Sequence, residues 1–221
     1  MMTNLFSTFD PATSIKMSLN WLSTFIIIII LPSPYWLTSN RIMLMMTNMI
    51  MKLYMEFKNI INDSKGMILI PISIFMFIMI NNMFGIMPYI FTSTSHMSCT
   101  FALALPMWIS FMIFGWINNY NKMFEHMIPV GTPSILMPFM VLIETVSNLI
   151  RPGSLSVRLF ANMVAGHLLM SMLGSCANSY SMMLPLLLIL QLTLTFFETA
   201  VAIVQAYVFS VLTVLYSSEV V

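Results

Sequence analysis

The stretch YSMMLPLLLILQLTLTFFETAVAIVQAYVFSVLTVLYS, residues 180–217, contains one charged residue, Glu198, in a run long enough to cross a bilayer more than once. About 40 helical residues extend roughly 60 Å, twice the apolar thickness of a membrane. A segment this long and this apolar predicts a helix lying obliquely in the bilayer. Residues 133–173 form a second segment of the same kind, joined to the first by a Gly/Ser/Asn turn around Gly174 to Ser179. A break at Pro152-Gly153 is expected to help that helix tilt.

The rest of the chain fits the same solvent. Apolar residues make up 59% of its 221 positions and charged residues 7%, with a mean hydropathy of +0.94. That leaves too few charges to coat a water-soluble globule. Residues 18–37 read as a membrane helix containing five consecutive isoleucines, Ile26 to Ile30. Residues 67–91 and 98–120 read as two more, joined by the polar turn Thr92 to His96. Residues 41–61 differ, because Asn48, Lys52, Glu56 and Asn59 recur at helical spacing against Met, Leu, Ile and Phe. That pattern predicts an amphipathic helix on the membrane surface. The expected fold is therefore one all-α, polytopic integral membrane domain over 1–221. It has five membrane-embedded helices, the last two long and strongly tilted, plus one amphipathic surface helix.

Basic residues set the orientation. Arg41, Lys52, Lys58, Lys65 and Lys122 gather on one side and only Lys16 lies opposite. The N-terminus and the turns near His96 and Asn178 are then expected on the side facing away from the surface helix. Met1 to Asn20 has no basic region ahead of a short apolar stretch and no Arg-rich amphipathic pattern, so no cleavable presequence is read there.

Several classes of function lose their footing. A net charge of +1 offers no field for nucleic acid. The patterns G-x-x-x-x-G-K-[ST], H-E-x-x-H and G-x-S-x-G are absent, which argues against a nucleotide P-loop and against intramembrane metallo- or serine hydrolase chemistry. Cys99 and Cys176 lack C-x-x-C spacing and read as small packing residues. The 26 methionines are scattered without metal-relay spacing and read as lipid-facing, gap-filling bulk. No metal, cofactor or catalytic site is expected. His96 and His126, with Glu125, fall in or beside turns and read as solvated polar residues.

What remains is charge inside the membrane. Glu144, Arg151 and Arg158 recur every seven residues, near one face of an ideal helix, and Gln191, Glu198 and Gln205 repeat that spacing in the last segment. Buried charge costs several kcal/mol unless it meets water, protein or a counter-charge. One reading is glue between the two long helices, for example Arg158 with Glu198. The reading that accounts for more is an ion path. Glu144 and Glu219 lie towards the positive side, whereas His167 and Glu198 lie towards the other. Arg158 stands between them, in the layout of two half-channels and a barrier. His167 points about 180° from Arg158 on an ideal wheel, which suits two offset paths better than one straight pore. A secondary transporter or a channel without a rotor is the competing class, although neither an internal repeat nor a Gly-rich cavity supports it.

The run Arg158-Leu159-Phe160-Ala161-Asn162-Met163-Val164-Ala165-Gly166-His167 closely resembles the signature of subunit a (subunit 6) of mitochondrial F-type ATP synthases. The resemblance extends upstream through Ile135 to Phe139, Glu144 and Arg151-Pro152-Gly153, and downstream through Glu198, Gln205 to Val208 and Leu215 to Glu219. Met1 to Phe6 with Asp10-Pro11 looks insect-like, and the many methionines resemble chains read with a mitochondrial code that has an extra Met codon.

The resemblance implies a non-catalytic, proton-conducting stator subunit of the mitochondrial inner membrane. Its N-terminus would face the intermembrane space and its C-terminus the matrix. Its partners would be a ring of c subunits, subunit b and other membrane-sector and stator subunits. Arg158 matches the family's essential arginine. His167 and Glu198, with Asn162 and Gln205 as neutral neighbours, match the intermembrane-space half-channel, and Glu144 and Glu219 match the matrix half-channel.

Overall fold

The computed structural model describes residues 5–14, 17–25, 29, 31, 35, 38–61, 65–128, 133, 135–179 and 181–220. Among them every regular element is helical, apart from an isolated bridge between Ser14 and Met17. Four helices are long and apolar enough to cross a membrane. The expected first crossing, 18–37, lies largely outside the described residues, and its opening, Leu19–Phe25, forms a 3-10 helix.

Helix α1, Arg41–Ile60, carries Lys58 in its last turn, where a cation complements the helix dipole. It buries Leu53 and Phe57 and exposes Lys52, Glu56 and Lys58. Helix α2, Lys65–Gly85, packs against α1 and most extensively against the last helix. It stops six residues short of the expected end at 91, because Pro88 cannot donate to the helix and Tyr89 turns the chain at φ 69°. The link to α3, Met97–Asn118, is a single 3-10 turn, Ser93–Ser95. A short helix α4, Tyr120–His126, follows.

The two long helices are α5, Met137–Ser179, of 43 residues, and α6, Leu184–Val220, of 37. The expected break at Pro152-Gly153 does not occur, and α5 runs on through Pro152. Packing explains this. Pro152, Leu155, Ser156 and Leu159 are all buried, and the contacts of that face hold the helix together across the one hydrogen bond that proline removes. α5 lies against α3 and α6.

One core joins α1, α2, α3, α5 and α6 through Phe57, Ile68, Phe75, Leu159, Ala206 and Phe209. Away from this seam the long helices are bare. Leu142 and Leu149 on α5 are 63% and 64% exposed, and Phe196 and Phe197 on α6 are 78% and 67% exposed. Faces like these need lipid or protein against them.

Candidate functional site

Arg158 is exposed on α5 and makes no ion pair or hydrogen bond among the described residues. The glue reading, Arg158 against Glu198, is therefore not what holds the long helices together. Their seam is apolar and small-residue packing, with Leu159, Ala202 and Ala206 each no more than 2% exposed. An arginine displayed on a lipid-depth helix face requires a partner outside the chain.

Glu198 behaves oppositely. It is 8% exposed, and its carboxylate lies over Gly166 of α5. A Cβ added at Gly166 would stand 2.7 Å from the Glu198 carboxyl carbon, so only glycine leaves room for the acid. His167 follows directly. Its ring lies against the backbone of Gly85 and meets the Phe9 ring edge-on at 6.2 Å. Glu198 Oε1 and His167 Nε2 are both buried without a hydrogen-bond partner. Two such atoms at adjoining positions mark a place where water or a proton carrier belongs. Asn162 and Gln205, the neutral neighbours, are half-buried.

More polar groups gather at this end than the sequence reading assigned. The turn Thr92 to Ser95 is 1–5% exposed and is tucked against α2, α3 and α5. Thr92 donates to Ser95 Oγ at 2.8 Å, and that hydroxyl donates back to the Thr92 carbonyl at 2.6 Å. Thr92 and Met163 close on Gly85, where an added Cβ would sit 3.0 Å from each. His96, expected to be solvated, instead packs between Trp21 and Phe91, each with ring centroids 5.2 Å away, and its Nε2 is buried. The correction has a simple cause: the turn folds inward and takes its histidine with it. Asn81 and Asn82, a pair of amides inside an apolar span, are buried with unpartnered atoms. That pair was the visible signal. His126 and Glu125 are exposed, as expected.

At the other end of α5, Glu144 pairs with Arg151 at 3.3 Å, both about a third exposed. The Arg151 guanidinium stands 5.5 Å from the centre of the Tyr216 ring of α6. Spacing by seven had placed the two charges on one face, and the pair forms on it. Glu219 lies in the last turn of α6, and its side chain lies outside the described residues. No group of three or more His, Cys, Asp and Glu side chains able to hold a metal occurs among the described residues.

Comparison with known proteins decides the family. The model of the "ATP synthase A chain" family matches residues 17–218. The chain belongs to the ATP synthase subunit a family. Full-length relatives called ATP synthase subunit a include those of Locusta migratoria, 57% identical over 224 residues, and Drosophila melanogaster, 54% identical over 223. Alignment covers all of this chain and all of each relative. As a subunit a, the chain is a proton-conducting stator component of the F-type ATP synthase and a multi-pass membrane protein of the mitochondrial complex. A rotorless transporter has no support from these relationships.

Proposed function

We propose that Arg158 is the barrier between two offset proton half-channels, facing a ring of c subunits that each carry a mid-membrane carboxylate. The observation that carries this reading is the separation of three polar sites along α5. The Glu144–Arg151 pair lies 14 and 7 residues before Arg158, and the Gly166–His167 site under Glu198 lies 8 to 9 residues beyond it. At 1.5 Å per residue Glu144 is about 21 Å from the arginine and His167 about 14 Å along the axis.

Protons from the intermembrane space reach Glu198 and His167, with Asn162 and Gln205 as neutral hydrogen-bonding neighbours. A carboxylate on the ring takes a proton there and travels in lipid as the neutral acid, since the ion is too costly to carry. When the acid meets Arg158 after rotation, the fixed positive charge favours its ionised form and the proton is released. Glu144 and Glu219 receive it on the matrix side. The same charge repels a proton moving directly between the two paths. ATP chemistry belongs to other subunits, and subunit b with the remaining stator proteins holds this one still against the ring. The basic flank of α1 faces the matrix and the N-terminus the intermembrane space.

Replacing Arg158 with Ala tests the reading in the assembled complex. Proton-driven ATP synthesis should fall about 100-fold or more, the loss typical of removing a transition-state charge. Arg158→Lys should rescue little, because a point charge on a flexible stem does not reproduce the guanidinium fork. Coupled synthesis retained in Arg158→Ala would rule the barrier out.

A further inference from the structure

Between α3, α4, α5 and the end of α6 lies a cavity of about 500 Å³. Glu144 and Arg151 form part of its wall, Tyr216 closes one side, and His126 stands on α4 at its edge. Trp108 and Asn148 face each other across it from α3 and α5. Trp108 Nε1 is a buried donor without an acceptor, and Asn148 Oδ1 is a buried acceptor without a donor. Pro152, four residues on, also withholds the N–H that would cap the Asn148 main-chain carbonyl.

Buried polar atoms are nearly always partnered, by protein or by ordered water. A lipid tail would suit the aromatic walls but would leave donor and acceptor unmet, at about 1–3 kcal/mol each. Water meets both. A cavity holds water when it is roomy and supplies two to four polar contacts, and this one supplies a donor, an acceptor, an ion pair and an imidazole.

We propose that this cavity is a water-filled exit vestibule, in which Glu144 hands its proton to water held by Asn148 and Trp108 and His126 relays it to the aqueous phase. The inference rests on the proton-path reading above and extends its matrix branch. The balance is simple. The Glu144 O–H bond breaks, an O–H bond forms on a cavity water, and the hydronium passes its proton along water to a free imidazole nitrogen or to bulk solvent. Glu144 returns to the carboxylate, and Arg151 is a positioning residue that keeps it at the cavity wall.

The test uses the assembled complex in inverted inner-membrane vesicles, with Cys99→Ser and Cys176→Ser as background. Thr145→Cys places a thiol on the α5 wall, and Met112→Cys places one on the α3 wall in case the first fails to assemble. A charged, membrane-impermeant methanethiosulfonate reagent should label both. Labelling should slow ATP-driven proton pumping about tenfold, less than the ~100-fold cost of losing an acid or base, because water still reaches Glu144. Labelling by N-ethylmaleimide alone, which is uncharged, means a dry cavity and overturns the vestibule. Labelling by the charged reagent with pumping intact also overturns it, since the exit then runs elsewhere. Either result leaves the barrier reading standing if Arg158→Ala still abolishes coupling, so the two ideas fail separately.

Discussion

Gly166 and Glu198 show how one missing methyl group can position an acid. The carboxylate occupies the space that any side chain at 166 would need, and it is held there by α5 pressing on α6. Gly166→Ala should therefore displace Glu198, costing about 1–3 kcal/mol in overpacking. Proton-driven ATP synthesis should drop with it. Adding Glu198→Asp, one methylene shorter, should return part of the lost rate by giving the new methyl room. Unchanged synthesis in Gly166→Ala would show that the acid's exact seat is unimportant. The seven-residue spacing of Glu144 and Arg151 is enough to predict their pairing, because i and i+7 share a helix face. Nothing local predicts Glu198 over Gly166, since they lie 32 residues apart on different helices.

At the scale of elements, α1 is fastened to the bundle by Phe57, which is 0% exposed, and by Tyr207 donating to Glu56 at 3.3 Å. The first contact outweighs the second. Phe57→Ala should cost about 3–5 kcal/mol, whereas Tyr207→Phe should cost roughly 0.5–1.5 kcal/mol. Hydrogen exchange over 41–60 in the detergent-solubilised complex checks the order: α1 amides should exchange much faster in Phe57→Ala and only slightly faster in Tyr207→Phe. Equal effects would mean that the polar contact matters as much as the apolar one. The amphipathic period of α1 is plain in its sequence. The end of α2 is less so, because hydropathy continues through Ile86 to Phe91 while Pro88 and Tyr89 have already turned the chain. Pro152 misleads in the other direction. A proline signals a break, yet burial of Leu155, Ser156 and Leu159 keeps α5 whole.

At the scale of the molecule, the long helices expose most of their apolar surface in the isolated chain, so their surroundings must supply what the chain lacks. Lipid can cover Leu142 and Phe196, but it cannot neutralise Arg158. The distribution of lysines predicts the overall orientation. Lys52 and Lys58, both exposed on α1, should react with an impermeant amine reagent in inverted vesicles and stay protected in intact mitochondria whose outer membrane has been opened. The opposite pattern would reverse the topology and exchange the intake and exit assignments.

Sequence alone determined the solvent, the helical class, the two overlong apolar segments and the residues that carry charge into the membrane. Each depends on composition or on short-range period, which a linear reading preserves. Tertiary structure decided which of those charges meet: Arg151 takes Glu144, Glu198 takes the notch at Gly166, and Arg158 is left exposed with no partner among the described residues. It also drew the turn at Thr92 to Ser95 and His96 inward and set Trp108 opposite Asn148. These outcomes depend on how far one helix slides and rotates against another, which is settled by packing across the whole bundle and leaves no periodic trace in the chain.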